Sequence, residues 1–285
     1  MNKKLLFNIT EDWFFCSHFL QRALTAKNSG YEIFVCSNEN NKRKKIENYG
    51  FKFFHVAYNR KNLNPIYEIY VLLRLNSLFR KIKPDIVHNV AVKPIILGSI
   101  ASRINNVKSV INAPVGMGYL FTSNSLKAKF LKIILNFLFK KLLNSHHGKK
   151  RKNKVIFENY DDMNYFLKLG MVSKKDSIVI RGAGVEIKEI IKRDRKYKIP
   201  TITLLARMLK DKGVIEFVEA AKIINSKEVI GNFLLVGDID SLNPTSLKKE
   251  TLLNWDEQNI VKWLGWIDDV DQILRDTDIL CLPSY

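Results

Sequence analysis

The sequence predicts an α/β protein with two parallel-sheet domains, the second of them incomplete. Two observations carry that expectation. Apolar runs of strand length alternate with segments of helical apolar spacing along the whole chain, which implies parallel sheets joined by right-handed crossovers. The alternation breaks at a charged, hydrophilic stretch, "EIKEIIKRDRKYKIP", and then restarts. A chain of 285 residues is long enough for two medium domains. The expected division is 1–184 for the first domain, 185–199 for the link and 200–285 for the second.

The elements follow in order. "KKLLFNIT" reads as a strand, and "SHFLQRALTAKNSG" as a helix closed by Gly30. "YEIFVCS" is a strand, "KKIENYG" a short helix and "FKFFHVA" a strand. "PIYEIYVLLRLNSLFRKIK" has helical spacing and must end before Pro84. "DIVHNV" is a strand, "PIILGSIASRIN" a helix and "SVINAPV" a strand. Residues 125–144 form a long helix and "KVIFEN" a strand. "DDMNYFLKLG" is a helix capped by Asp161 or Asp162, and "SIVIRG" closes the first block. In the second block "TITLLA", "NFLLVG", "IVKWLG" and "DILCLP" are strands, with helices between them. The last of these, residues 278–282, reads as buried. Four strands are fewer than the six or so of a doubly wound nucleotide-binding domain.

Charge is uneven. The net formal charge is +19, yet residues from 201 onward hold nine Lys/Arg against fourteen Asp/Glu. The first 200 residues hold the other 38 and 14, a balance of +24. Such a field suits an anionic partner, or it is a lysine-rich solvated surface. The three cysteines, Cys16, Cys36 and Cys281, lie far apart, which fits a reducing compartment and no metal or disulfide framework. The amino-terminal apolar run is broken at Asn8, Glu11 and Asp12, so no cleaved leader is expected, and no apolar stretch is long enough to span a membrane.

The chemistry-bearing residues lie at strand ends. In "LLARMLKDKGV", Arg207 ends a strand, Lys212 follows five residues on and Gly213 opens a helix. Two cations, a glycine and a helix N-terminus suit a diphosphate, although Arg and Lys at strand ends are often simply solvated. Gly237 and Asp238 end the next strand in "LLVGDID", where a glycine allows close backbone approach or serves an ordinary turn. Asp238 and Asp240, in the loop after that strand, superficially form a metal motif. Glu11, Asp12 and His18 follow the first strand and could contact acceptor hydroxyls. They could equally cap the next helix, which is the default for Asp12.

"ARMLKDKGV", "LVGDID", "WLGWIDDV" and "DILCLPSY", in this order, resemble the donor domain of family-four retaining glycosyltransferases of the GT-B fold. "PDIVHNVAVKPIILGSIASR", "NAPVGMGYLF", "VIFENYDD" and "IRGAGVE" resemble its first domain, in the manner of capsule, exopolysaccharide and O-antigen enzymes. The resemblance implies a nucleotide-sugar donor, of UDP type, and a lipid-linked saccharide acceptor. It implies no metal and no cofactor. It matches Arg207 and Lys212 to donor-diphosphate cations. It matches His88 to a histidine near the donor sugar, facing the cleft, and Lys93 to a cleft lysine. Gly116 and Gly118 would shape the acceptor side. Many relatives carry a second histidine where this chain has Val90, and a glycine-rich first loop where it has "TEDWFFCSHF". The family's donor domain continues past "LPSY" with an arginine–glutamate–glycine stretch and two donor-binding glutamates. The expectation is therefore a chain truncated within its donor domain and poorly active alone.

Residues 127–154 hold ten Lys/Arg and no acid. Helical spacing puts Lys129, Lys132, Asn136, Lys140 and Asn144 on one face, and Phe130, Ile133, Ile134, Phe137, Leu138 and Leu142 on a wide apolar arc. This fits an interfacial helix on an anionic membrane, or a core helix with a lysine-covered outer face. Nucleic acid is not an expected partner, for want of a motif and of aromatics among the charges. The leading reading is a cytoplasmic glycosyltransferase peripheral to the inner face of the plasma membrane. The alternatives are an inactive, binding-only remnant at the membrane surface and, further off, a sugar-nucleotide epimerase of the same fold.

Overall fold

The computed structural model describes residues 2–59, 64–115, 126–144, 152–184, 199–227, 230–241, 243–267 and 269–285. Contacts divide the chain into two units, Met1–Ile187 and Lys188–Tyr285. Both are parallel α/β units. Gly116 and Gly118, residues 145–151 of the basic segment and nearly all of the expected link lie outside the described residues.

Among its described residues the first unit holds seven strands: β1 (Lys4–Glu11), β2 (Glu32–Asn38), β3 (Lys52–His55), β4 (Ile86–Val90), β5 (Ser109–Ala113), β6 (Lys152–Phe157) and β7 (Ser177–Val179). They form one sheet in the order β3-β2-β1-β4-β5-β6-β7, and every neighbouring pair is parallel. Strand order reverses between β1 and β4, and the carboxyl ends at such a switch point are the usual ligand position in open parallel sheets. The strands read as nearly continuous apolar runs because both faces are covered. Leu5, Phe7 and Ile9 pack on one face with Phe15, Phe19 and Ile46. Leu6, Phe34 and Val87 pack on the other, against helices α3 (Pro65–Ile82) and α4 (Val92–Ile104).

Three asparagines tie the central strands together. Asn8, Asn89 and Asn112 sit side by side in β1, β4 and β5, all fully buried. Asn8 Nδ2 donates to Asn89 Oδ1 at 3.0 Å, and Asn89 Nδ2 to Asn112 Oδ1 at 3.0 Å. Tyr58 Oη donates to Asn8 Oδ1 at 2.7 Å. A one-residue slip would break this chain and bury unpaired amides, so it specifies strand register as well as stability.

Local signals explain most helix ends. Pro65 opens α3 behind Asn64, whose side chain accepts from Ile66 N at 3.0 Å, and Lys83 closes it in the left-handed region. Helix α6 (Tyr160–Lys168) is capped by Asn159, whose Oδ1 accepts from Asp162 N at 2.7 Å, and not by either aspartate. The first helix starts earlier than its apolar spacing suggests. Asp12–Phe14, a π-helical stretch Phe15–Phe19 and Leu20–Asn28 run together as α1. The wider π turn lets Phe15 and Phe19 both reach the core around Phe7, at ring distances of 5.5 and 6.4 Å. Helix α2 (Arg43–Asn48) follows β2.

Helix α5 (Leu126–Leu143) departs from its expected faces. Leu135, Phe139, Leu142 and Leu143 are buried, and Phe139 stacks near Phe166 of α6 at 5.6 Å. Lys132 and Asn136, assigned to a polar face, lie instead beside Tyr165. Ile133, Ile134 and Phe137 are exposed, at 67, 39 and 60%. Lys140 and Lys141 flank them, with the Lys141 ammonium 5.5 Å from the Phe137 ring.

The second unit holds β8 (Thr201–Leu205), β9 (Asn232–Val236), β10 (Lys262–Trp263) and β11 (Ile279–Leu280) in the order β10-β9-β8-β11, all parallel. Helices α7 (Val214–Asn225), α8 (Lys249–Glu257) and α9 (Val270–Asp276) accompany them. The core gathers Leu204, Met208, Phe217, Leu235 and Leu252. The last strand is shorter than expected and not buried, with Ile279 55% and Leu280 45% exposed. Among the described residues it pairs with β8 alone, at the edge of the sheet.

Candidate functional site

In the first unit, Glu11 ends β1, Asp12 and His18 lie in α1, and His88 lies inside β4. Asp12 is not an N-cap. It is the first helical residue, fully buried, and its Oδ2 accepts from the backbone N of Asn40 at 2.8 Å and of Lys42 at 2.9 Å. Glu11 Oε2 accepts from Asn40 Nδ2 at 2.7 Å. The two carboxylates thus hold the loop after β2. His18 lies in the π stretch, its ring 4.3 Å from Phe14 and its Nδ1 2.6 Å from Ser17 Oγ. Lys93, in the first turn of α4, donates to the Asn59 carbonyl at 2.6 Å and pairs with Glu68 of α3.

His88 lies inside β4, opposite Phe7. Its ring sits 5.3 Å from Phe7 and 5.5 Å from Phe19, nearly perpendicular to the latter. It is 5% exposed, and its buried Nε2 makes no hydrogen bond among the described residues. Burial drives its pKa down to about 3, helped by the nearby positive charge of Arg22. The imidazole is therefore neutral near pH 7. It can donate or accept one hydrogen bond through Nε2, and it carries no proton to give as an imidazolium. Arg22 stands over the Phe19 ring and donates to the Gly182 carbonyl at 2.8 Å. Ala91, three residues beyond His88, holds φ 74° and ψ 166° at the start of α4. That region is nearly exclusive to glycine and costs about 1–3 kcal/mol, a strain that tends to gather at functional sites.

In the second unit, the loop after β8 carries the expected cations. Arg207 Nη1 donates to Asp240 Oδ2 at 2.7 Å, with the two side chains 43 and 12% exposed. Lys212 ends a 3-10 turn, Lys210–Lys212, directly before the α7 N-terminus. Gly213 holds φ 69°, and Pro283 of the last loop fills the space a Cβ would need. Its lack of a side chain therefore admits the segment after β11 to the α7 N-terminus. Tyr285 fastens that segment: its N donates to the Asp211 carbonyl at 3.2 Å and its Oη to Glu216 Oε1 at 2.7 Å. Gly237, with φ 132°, lies so close to the Ala206 carbonyl that a Cβ would overlap it. Asp238 turns its Oδ1 to the Ile239 N at 2.7 Å. Among the described residues, no group of three or more His, Cys, Asp or Glu side chains is placed to hold a metal ion.

Arg207, Lys212, Gly213, Gly237 and Asp238 thus share one sheet edge, at the carboxyl ends of β8 and β9. A guanidinium, an ammonium and a helix N-terminus at one strand end can bind an anion of two or more charges. The sequence reading assigned no role to Arg22, Tyr58, Tyr285 or the Asp240 pairing. Their partners are distant in the chain, and no local pattern marks them.

Residues 4–146 match the family described as "Glycosyl transferase 4-like", and residues 199–285 match "Glycosyl transferases group 1". The chain belongs to this glycosyltransferase family. It is 26% identical, over 94% of its length and 71% of the relative's, to N,N'-diacetylbacillosaminyl-diphospho-undecaprenol alpha-1,3-N-acetylgalactosaminyltransferase of Campylobacter jejuni. It is 29% identical, over 79% of its length, to UDP-Gal:alpha-D-GlcNAc-diphosphoundecaprenol alpha-1,3-galactosyltransferase of Escherichia coli, of which the alignment covers 58%. The crystal structure of a glycosyltransferase from Rickettsia africae matches with TM-score 0.65 and 20% identity, over the whole of this chain and 74% of that one. The fold of this family member is accordingly GT-B. No helix among its described residues is long and apolar enough to cross a membrane.

Proposed function

We propose that this chain is a retaining glycosyltransferase that moves a sugar from a UDP-sugar to a lipid-linked saccharide in cell-surface polysaccharide synthesis. The first unit binds the acceptor and the second binds the donor. The observation that carries the donor reading is Arg207 and Lys212 beside the α7 N-terminus. The acceptor reading draws on two relatives named for diphospho-undecaprenol-linked substrates. In the reaction the bond between the sugar's anomeric carbon and the diphosphate oxygen breaks. A new bond forms to an acceptor hydroxyl, which releases its proton, and the anomeric configuration is kept. Arg207 and Lys212 stabilise the charge that grows on the departing diphosphate, the kind of electrostatic support that lowers such barriers most.

The test is transfer of label from a panel of radiolabelled UDP-sugars to an undecaprenyl-diphosphate-linked saccharide by the purified chain. Label in the lipid fraction with matching UDP release supports the reading. The absence of both transfer and UDP binding would sink it, and UDP binding without transfer would favour a binding-only protein.

The enzyme works at the anionic inner face of the plasma membrane, docked by α5. Its support is the exposed Ile133, Ile134 and Phe137 beside Lys140 and Lys141. Each cation near such a surface adds about 1 kcal/mol. Replacing Ile133 and Phe137 together by Glu is expected to reduce flotation with phosphatidylglycerol vesicles about tenfold or more, from lost apolar insertion and added repulsion. Equal flotation of variant and parent would remove α5 from the docking face.

A further inference from the structure

We propose that Asp240 is a positioning residue for the donor diphosphate site, holding the Arg207 guanidinium by one nitrogen so that its other donors stay available. This deepens the donor reading of Arg207 and rests on it. The bond from Arg207 Nη1 to Asp240 Oδ2 is 2.7 Å long and engages one edge of the fork. Asp240 is the better buried of the two, at 12% against 43%, so the carboxylate is the fixed member and the arginine the presented one.

The loop that carries Asp240 is laced to the loop that carries both cations. Met208 N donates to the Asp238 carbonyl at 3.0 Å, and Leu247 N to the Met208 carbonyl at 2.9 Å. Lys210 N donates to the Thr245 carbonyl at 2.9 Å, and Thr245 Oγ1 to Asp211 Oδ2 at 3.1 Å. Asp240 is itself held, its N donating to Ser246 Oγ at 3.1 Å and its carbonyl accepting from Asn243 N at 2.7 Å. A free arginine loses much rotamer freedom when it grips a phosphate. One already pinned loses less and binds more tightly for the same contact.

A carboxylate near a diphosphate also repels it, so the sign of the effect is the test. The repulsion acts across the guanidinium, at longer range than the charge-assisted bond to Arg207, which is direct. The experiment is titration of the full chain with UDP and with uridine, for the parent, R207A, D240A and D240N. D240A is expected to weaken UDP about tenfold, and D240N about threefold because its amide oxygen still accepts from Arg207. Uridine has no phosphate, and its affinity should stay unchanged in every variant, which also verifies the fold. R207A should weaken UDP at least as much as D240A. If R207A weakens UDP but D240A binds it as well as the parent or better, Asp240 is a competitor for Arg207 and the inference falls. Equal losses for UDP and uridine would mark a merely structural role and also overturn it. An unchanged UDP affinity in R207A would remove the donor reading itself, and the inference with it.

Discussion

Replacing Arg207 with alanine is expected to lower the rate of sugar transfer about a hundred- to a thousandfold, the usual loss when one donor to a developing oxyanion is removed. The same change should hardly alter stability. Arg207 is 43% exposed, and among the described residues its ion pair to Asp240 is a single-edge contact. Pairs this exposed contribute about 0–1 kcal/mol. A large kinetic loss with an almost unmoved melting midpoint therefore separates a site residue from a packing residue. Arg207→Lys should recover part of the rate, since it restores the charge but not the planar fork. Initial rates with labelled UDP-sugar, beside a thermal melt of each variant, decide the matter. Turnover of Arg207→Ala at the parental rate would show that the leaving diphosphate is stabilised elsewhere.

What was legible in the sequence is what depends on near neighbours. The strand–helix alternation could be read directly, because periods of 2 and 3.6 are local. Arg207, Lys212 and Gly213 stand on one short loop, so their shared sheet edge follows from the chain itself. Features that depend on distant partners were not legible. Asp12 looks like a cap because it precedes a helix, yet its partners, Asn40 and Lys42, lie 28 and 30 residues away. Asp240 is 33 residues from Arg207. The Asn8–Asn89–Asn112 chain exists only once β1, β4 and β5 are in register. Helix α5 carries more apolar residues than one face can bury. Phe166 meets Phe139 on its packed side, which leaves Ile133 and Phe137 outward. Residues 278–282 have the composition of a buried strand, but burial is a property of sheet order, and β11 sits at an edge.

Stability of the first unit is expected to fall as pH drops below about 6.5, and His88→Phe should remove much of that fall. The His88 pKa is about 3 in the folded chain, because its ring is enclosed by Phe7 and Phe19 and stands near the charge of Arg22. An unfolded histidine titrates near 6.5. Between those values the unfolded chain takes up a proton that the folded chain refuses. The contribution is thus complete above about pH 6.5 and is lost progressively down to about pH 3. At about 1.4 kcal/mol per pKa unit, the loss is about 2 kcal/mol by pH 5 and about 5 kcal/mol in full. Phenylalanine does not titrate, and it removes a buried Nε2 that has no hydrogen-bond partner among the described residues. The variant should match or exceed the parent in stability at pH 7.5, and gain a further 2 kcal/mol or so on it at pH 5. Urea unfolding at the two pH values measures the difference, while carboxylates common to both proteins cancel. If parent and variant lose the same stability, His88 is not the group that titrates. The same neutral imidazole bears on mechanism. A group with so low a pKa cannot supply the proton-donor limb of a rate profile near pH 7. Any part His88 plays in transfer is therefore played by a neutral imidazole.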